Sequence, residues 1–195
     1  MGHPQDPLVR VIDAISLAAE AHRHQRRKDG AATPYINHPI ALLRILGVEA
    51  GITDPDVLCA TALHDYLEDC CGQTDLPSVE EGRALLTTRF GIDALAYVDA
   101  VTDDKSLPKE ERKQLQIEHA AQAPLGARLV KLADKIANLR DITASPPVGW
   151  SLARRQEYFD WAKRVVDQIR GTHAGLESLF YAEYTYRPGE ASTLM

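Results

Sequence analysis

The stretch Pro124-Leu125-Gly126-Ala127-Arg128-Leu129-Val130-Lys131-Leu132-Ala133-Asp134-Lys135-Ile136-Ala137-Asn138-Leu139 carries the clearest period in the chain. Leu125, Leu129, Leu132, Ile136 and Leu139 recur at alternating intervals of four and three residues, the apolar stripe of an amphipathic helix. Pro124 suits its first turn, where a missing N–H costs nothing. Asp134, Asn138 and Asp141 repeat at i, i+4 and i+7 and give the same helix a polar stripe.

Outward from this helix the chain keeps reading as helix. Ser145-Pro146-Pro147 breaks it, Ser151 caps a further helix to about residue 170, another spans 172–184, and 187–195 reads as a frayed tail. On the other side, helices are expected from Leu107-Pro108 to about 123, over 92–101, and over 78–90 with a stop at Gly91. A loop covers 70–77. Asp54-Pro55 is an N-cap followed by proline and opens one helix running through His64 to Asp69. A helix from His38-Pro39 to about 50 precedes it, after a loop over 31–37. The first helix shows a stripe Leu8, Ile12, Ile15, Ala19 and His22 and should end at Lys28-Asp29-Gly30. No alternating strand pattern persists, so the expectation is all-α: one helical bundle of about eight to ten helices across 1–195, with its core at about 8–180.

A chain of 195 residues, 45% hydrophobic and 26% charged, suits one globular domain, and its formal charge of −6 argues against nucleic acid as a partner. Cys59, Cys70 and Cys71 form no C-x-x-C, and no apolar run suggests a signal or a membrane span. The expectations are reduced thiols, a cytoplasmic protein and no membrane partner. The oligomeric state stays open.

The chemistry concentrates in His64-Asp65 and Glu68-Asp69, which follow the apolar run Val57-Leu58-Cys59-Ala60-Thr61-Ala62-Leu63. Adjacent His and Asp can bind a divalent cation. Two carboxylates one turn later would face the same site, and three carboxylates so close repel without a cation. With His38 and Asp134 the set offers two imidazoles and two carboxylates, which suits Mn²⁺, Fe²⁺ or Zn²⁺ better than Mg²⁺. Plainer readings exist: His38 as a helix cap, Asp134 paired with Lys131 or Lys135, and the acidic cluster as a solvated face. A second constellation, His22-Arg23-His24-Gln25-Arg26-Arg27-Lys28, either complements a helix C-terminus or clamps phosphate with Arg27 and Lys28. His22 continues the apolar stripe and reads as a satisfied, half-buried histidine.

In order, the chain contains His22-x-x-Gln25-x-Arg27-Lys28, Thr33-Pro34-Tyr35-Ile36-Asn37-His38-Pro39, His64-Asp65-x-x-Glu68-Asp69 and Lys131-Leu132-Ala133-Asp134-Lys135-x-x-Asn138-Leu139-Arg140. This pattern resembles the HD-domain hydrolases of the RelA/SpoT homologue family. Val101-Thr102-Asp103-Asp104-Lys105 and Gln156-Glu157-Tyr158-Phe159-x-Trp161-Ala162 are similar to its small stand-alone, metazoan-type alarmone hydrolases. The resemblance implies an HD fold and one Mn²⁺ per chain on His38, His64, Asp65 and Asp134. It implies hydrolysis of the 3′-pyrophosphate of (p)ppGpp to GDP or GTP and pyrophosphate, with Glu68 and Asp69 as the catalytic carboxylates. Arg27, Lys28 and Asn138, together with Lys109, Arg154 and Tyr158, would bind the guanine nucleotide. Tyr66-Leu67 and the segment 70–81 depart from the family pattern, and Tyr66 either narrows the pocket or packs behind it. The alternatives are an NADPH 2′-phosphatase on the same site, a non-catalytic nucleotide-binding HD module, and a scaffold that binds no metal.

Overall fold

The computed structural model describes residues 6–72 and 76–189. Among them are ten α-helices and one π-helical turn, with no strand and only an isolated bridge between Arg26 and Pro34. In chain order the helices are α1 (Pro7–Ala21), α2 (Asn37–Arg44), α3 (Pro55–Leu63), α4 (Tyr66–Cys70), α5 (Val79–Phe90), α6 (Ile92–Asp99), α7 (Lys109–Ala120), α8 (Leu125–Ala144), α9 (Leu152–Asp167) and α10 (Ala174–Tyr184). The π turn, Ile45–Glu49, continues α2 and is marked by the Ala50 N–H donating to the Ile45 carbonyl at 2.9 Å.

The starts follow local chemistry. The Asp54 carboxylate accepts from the N–H groups of Asp56 and Val57, Ser78 and Glu81 form a reciprocal capping box, and the Ser151 hydroxyl accepts from the Arg154 N–H. Gly91 ends α5 at φ 91°, a conformation L side chains avoid.

The long helix α8 lies between two apolar clusters and contributes to both. On one side Leu132, Ile136 and Leu139 pack with Leu42, Leu46, Phe159, Val165 and Phe180. On the other, Val130 joins Ala14, Ala18, Ala60, Leu63, Leu67, Leu86 and Phe90. A Cβ on Gly126 would stand 2.4 Å from the Tyr97 ring, so glycine is what lets α6 lie against the first turn of α8.

Four local expectations change. The first helix ends at Ala21, not at Gly30, and its buried residues are Ala14 and Ala18; of the expected stripe only His22, the C-cap, is fully buried, Leu8 being 66% and Ile12 53% exposed. Small alanines win that face because α1 packs closely along α3. Leu125, at the head of the α8 stripe, is exposed where the helix emerges from the bundle. The helix through the acidic tetrad is broken between α3 and α4 at His64 and Asp65. The tail is tied down at its start: Arg187 pairs with Asp160 at 2.6 Å, and Gln156 Nε2 donates to the Pro188 carbonyl at 2.8 Å. Residues 190–195 of the expected tail, and 73–75 of the expected 70–77 loop, lie outside the described residues.

Candidate metal centre and nucleotide pocket

The break between α3 and α4 is what presents the His-Asp pair. α3 is apolar nearly all round and buried from Cys59 to Leu63. At its end Asp65 adopts φ −100°, ψ 3°, and the chain restarts as α4 with Asp69 N–H on the Asp65 carbonyl. His64 is buried and its Nδ1 lies 2.9 Å from the Thr61 carbonyl, which fixes Nδ1 as the protonated nitrogen. Nε2 is thereby left with a lone pair. It lies 2.9 Å from Asp65 Oδ2 without hydrogen-bond alignment and is a buried nitrogen with no hydrogen-bond partner. His38, in the first turn of α2, is buried as well; its Nε2 lies 3.2 Å from Asp134 Oδ1 and its Nδ1 has no partner.

Nitrogen and oxygen atoms of His38, His64 and Asp65 lie within 4.8 Å of one another and can hold a metal ion. Asp134 reaches this group through His38, while Lys135 Nζ (2.9 Å) and Asn138 Nδ2 (2.7 Å) also donate to its carboxylate. The pairing of Asp134 with Lys135 expected from helical spacing is therefore real, and it coexists with the approach to His38. Buried imidazole nitrogens without partners, beside two carboxylates, are what a mixed N/O cation site requires.

Without a cation, burial and the carboxylates pull the two imidazoles in opposite directions, and a cation on His64 Nε2 would replace the proton that Asp65 favours there. Burial lowers the pKa of His38, its hydrogen bond to Asp134 opposing this. Burial would lower that of His64 too, but Asp65 overrides it and leaves His64 at about 9. Burial would raise Asp65, yet the neighbouring imidazoles and the Tyr35 hydroxyl hold its carboxyl well below the usual range. Burial raises Glu68 despite the Asp103 N–H on its carboxylate.

Two cavities meet here. A small one of about 210 Å³ is lined by His38, His64, Asp65, Glu68, Lys131 and Asp134 among others. A larger one of about 690 Å³ is lined by Lys28, Asp69, Asp141, Trp150 and Tyr158 among others. Arg27, Tyr35, His38 and Asn138 line both. The two carboxylates expected to face one site thus divide: Glu68 faces the small cavity and Asp69 the large one. As adjacent residues of the short α4, they point about 100° apart around the helix axis.

The basic segment starts at the C-terminus of α1, where His22 is the C-cap and Arg23 follows, but residues 25–28 lead away from the helix end. They form an irregular loop, with Arg27 N–H on the Thr33 carbonyl (2.8 Å) and Tyr35 N–H on the Gln25 carbonyl (3.1 Å). Arg27 Nη2 donates to Asp141 at 2.6 Å and to Asn138 at 3.2 Å. His22 is satisfied as expected, more deeply buried, with Nδ1 2.7 Å from Gln25 Oε1 and its ring stacked on Tyr35 at 4.7 Å. Tyr158 stands against Trp150 and Trp161, and Arg154 lies 4.4 Å over the Trp150 ring. Lys109 and Arg154 line neither cavity. Burial and then the charges of Lys113, Arg154 and Lys28 lower the Lys109 pKa, which gathers these cations in one field. Tyr66 is buried beside Leu67 and Cys71, against Gly82, and lines neither cavity, the packing alternative of the two.

Sequence reading missed several residues here. Tyr35 donates its hydroxyl to Asp65 Oδ2. Lys105 pairs with both Asp69 and Glu68. A polar chain in the wall of the small cavity runs from Asp103 through Gln116 to Lys135, with Gln116 Nε2 on the Asp103 carboxylate (2.8 Å) and Lys135 Nζ on Gln116 Oε1 (3.2 Å). Tyr35 sits inside a quoted motif, which was a usable signal. Lys105 also closes a quoted motif, Val101 to Lys105, although no role was read for it, while Gln116 comes from a charge-rich segment with no signal.

Residues 14–159 match the HD domain family. A guanosine-3′,5′-bis(diphosphate) 3′-pyrophosphohydrolase of Drosophila melanogaster is 52% identical over 88% of this chain and 90% of its own length. The human protein of that name is 52% identical over 86% of this chain and 89% of its own. A solved structure, described as a metazoan ortholog of SpoT that hydrolyzes ppGpp, superimposes with a TM-score of 0.83 at 46% identity, covering 96% of this chain and 98% of that one.

Proposed function

The chain belongs to the HD-domain family, and on that footing we propose that it is a guanosine-3′,5′-bis(diphosphate) 3′-pyrophosphohydrolase with Mn²⁺ held by His38, His64, Asp65 and Asp134. It converts (p)ppGpp to GDP or GTP and pyrophosphate. The observation that carries the reading is the pair of buried imidazoles with unpartnered nitrogens on the small cavity, beside Asp65 and Asp134, with His38 also lining the larger one. The bound cation supplies Lewis acidity, making a water nucleophilic near neutral pH.

The chain's own groups do the rest. The oxygen of water joins the phosphorus attached to the ribose 3′ oxygen, and the bond from that phosphorus to the ribose oxygen breaks. One water proton passes to the Glu68–Asp69 pair, and the pair returns a proton to the departing 3′ oxygen. Burial raises the pKa of Glu68, which makes it the member of the pair better suited to take up the proton. The nucleoside occupies the larger cavity: the Arg27 guanidinium, held by Asp141 and Asn138, offers a flat face to the purine, with Asn138 and Tyr158 beside it. Lys28, Lys109 and Arg154 meet the 5′ phosphates at the mouth.

In this proposal 1–195 act as one hydrolase unit. Three free, buried cysteines suit a reducing cytoplasm, and no helix among the described residues is long and apolar enough to cross a membrane. The 2′-phosphatase alternative is not favoured, because the similar proteins carry the 3′-pyrophosphohydrolase name. A non-catalytic module would have no use for a proton-exchanging Glu68 on the metal cavity. The test is turnover of ppGpp and NADPH side by side with Mn²⁺, following products by phosphorus NMR. Pyrophosphate from ppGpp is expected; orthophosphate released from NADPH alone would overturn the assignment.

A further inference from the structure

The site described above contains a charge conflict. Asp65, Glu68, Asp69 and Asp134 surround the place where a pyrophosphate group, itself strongly anionic, must sit. A cation has to stand between them, and its ability to move matters as much as its charge.

The candidate cations differ in that respect. Lys135 is buried, bonded to Asp134 and Gln116, with its ammonium 4.2 Å over the Trp161 ring. Lys131 is buried on α8. Arg27 is anchored on Asp141 and Asn138. Arg112 stands behind Glu68, its Nη1 3.7 Å from Asp103 and 4.0 Å from Glu68. Lys105 is unlike these. It extends from the loop between α6 and α7, its side chain is 47% exposed, and it reaches both members of the carboxylate pair, forming a hydrogen bond with Asp69 Oδ1 and standing 3.6 Å from Glu68 Oε1.

The loop that presents it is fixed on both sides of the lysine. Asp103 N–H donates to Glu68 Oε2 at 3.1 Å while the Asp103 carboxylate is gripped by Gln116. After Lys105, the Ser106 N–H and hydroxyl both donate to Asp104 Oδ1, at 2.9 and 2.6 Å. The loop, anchored at Asp103 and turned on itself by Asp104 and Ser106, therefore carries one half-exposed ammonium at the meeting point of the carboxylates and solvent.

We infer that Lys105 exchanges partners during the reaction: it neutralises Glu68 and Asp69 in the free protein and passes to the oxygens of the pyrophosphate group when substrate arrives. The exchange removes the repulsion that the carboxylates would otherwise exert on the substrate. It also frees the carboxylate pair to accept the water proton just when that proton must leave. No bond is made or broken by Lys105 itself; it stays protonated throughout, consistent with the carboxylates raising its pKa against the opposing effect of burial.

This inference rests on the proposed function, and its test separates the two. Binding of inorganic pyrophosphate to the Mn²⁺-loaded protein, with Mn²⁺ in fixed excess, is measured by calorimetry in wild type, Lys105→Met and Lys105→Arg, alongside ppGpp turnover. Failure of wild-type ppGpp turnover sinks the function without touching the pyrophosphate comparison. Lys105→Met is expected to weaken pyrophosphate binding at least about tenfold, as loss of a charge-assisted hydrogen bond should, and to raise KM for ppGpp. Lys105→Arg should restore both to within about threefold. Unchanged pyrophosphate affinity in the Met variant overturns the inference, whatever happens to kcat. Should methionine loosen the loop, shown by a lower Tm, the arginine variant decides: a tenfold loss of affinity there overturns it equally.

Discussion

The helix α8 holds carboxylates in two contrasting ways within about two turns. At Arg140 a single guanidinium satisfies two of them, Nη1 and Nη2 lying 3.0 and 2.9 Å from the two oxygens of Glu49 and Nε 2.8 Å from Glu183. At Asp134 one carboxylate is shared among His38, Lys135 and Asn138, and the imidazoles beside it keep nitrogens that nothing satisfies. The first arrangement is complete and ties the π turn and α10 to α8. The second is complete only with a cation added. The contrast teaches where this fold spends stability for reactivity, since unpaired polar groups in a buried site are costly and are kept where chemistry needs them.

If that contrast is right, variants at the two places should fail differently. Glu68→Gln should lower kcat about 10²- to 10⁴-fold while the Tm of the metal-free protein holds or rises, because like charges are relieved. Steady-state kinetics and a thermal melt read both, and a loss of kcat below tenfold breaks the assignment. Tyr35→Phe should weaken Mn²⁺ binding about 10- to 100-fold by removing the hydroxyl that orients Asp65, as calorimetric titration will show. Arg140→Ala should act in the opposite sense, costing about 1 kcal/mol of stability, or roughly 2–4 °C in Tm, with Mn²⁺ affinity unchanged. Altered metal affinity in that variant would mean the two regions are coupled.

The smallest effect concerns pH. The hydrogen bonds from Arg140 outweigh burial and hold Glu49 below its ordinary value of 4.5. Its contribution is therefore present in full above about 4.5 and is lost as pH falls through the depressed value. Melts between pH 5 and 3 should show wild type losing its advantage over Arg140→Ala as acidity increases. A constant gap would remove Glu49 from the account.

Much of this was legible beforehand, for definable reasons. Proline and capping residues marked the starts of α3, α8 and α9 because those signals act locally. His38, His64 and Asp65 were legible as a group that could hold a cation because metal chemistry restricts residue type. The end of α1 was not: residues 22–28 carry helix-compatible side chains, and only their bonds to residues 33 and 35 across the loop decide against helix. The buried face of α1 was misread for a related reason, since leucines outrank alanines by hydrophobicity but not by how closely two helix axes can approach. The break at His64 could not be read from an apolar run that a continuous helix would also satisfy. Lys105, 36 residues from Asp69, becomes visible only once the loop is closed.

The π turn at Ile45–Glu49 has a consequence for how this protein can vary. Such a turn is an α-helix holding one surplus residue, and every side chain beyond it is rotated by about 100° relative to an uninterrupted helix. Glu49 is the last residue of that turn, so its alignment with Arg140 depends on the surplus. Deleting Gly47, whose missing Cβ would meet only the Ile52 carbonyl at 3.9 Å, would regularise the helix at little steric cost and still swing Glu49 away. Chain length here is accordingly a hidden specification of sequence: a lineage that lost one residue from this turn would have to find a new partner for Arg140, although no residue it kept had changed.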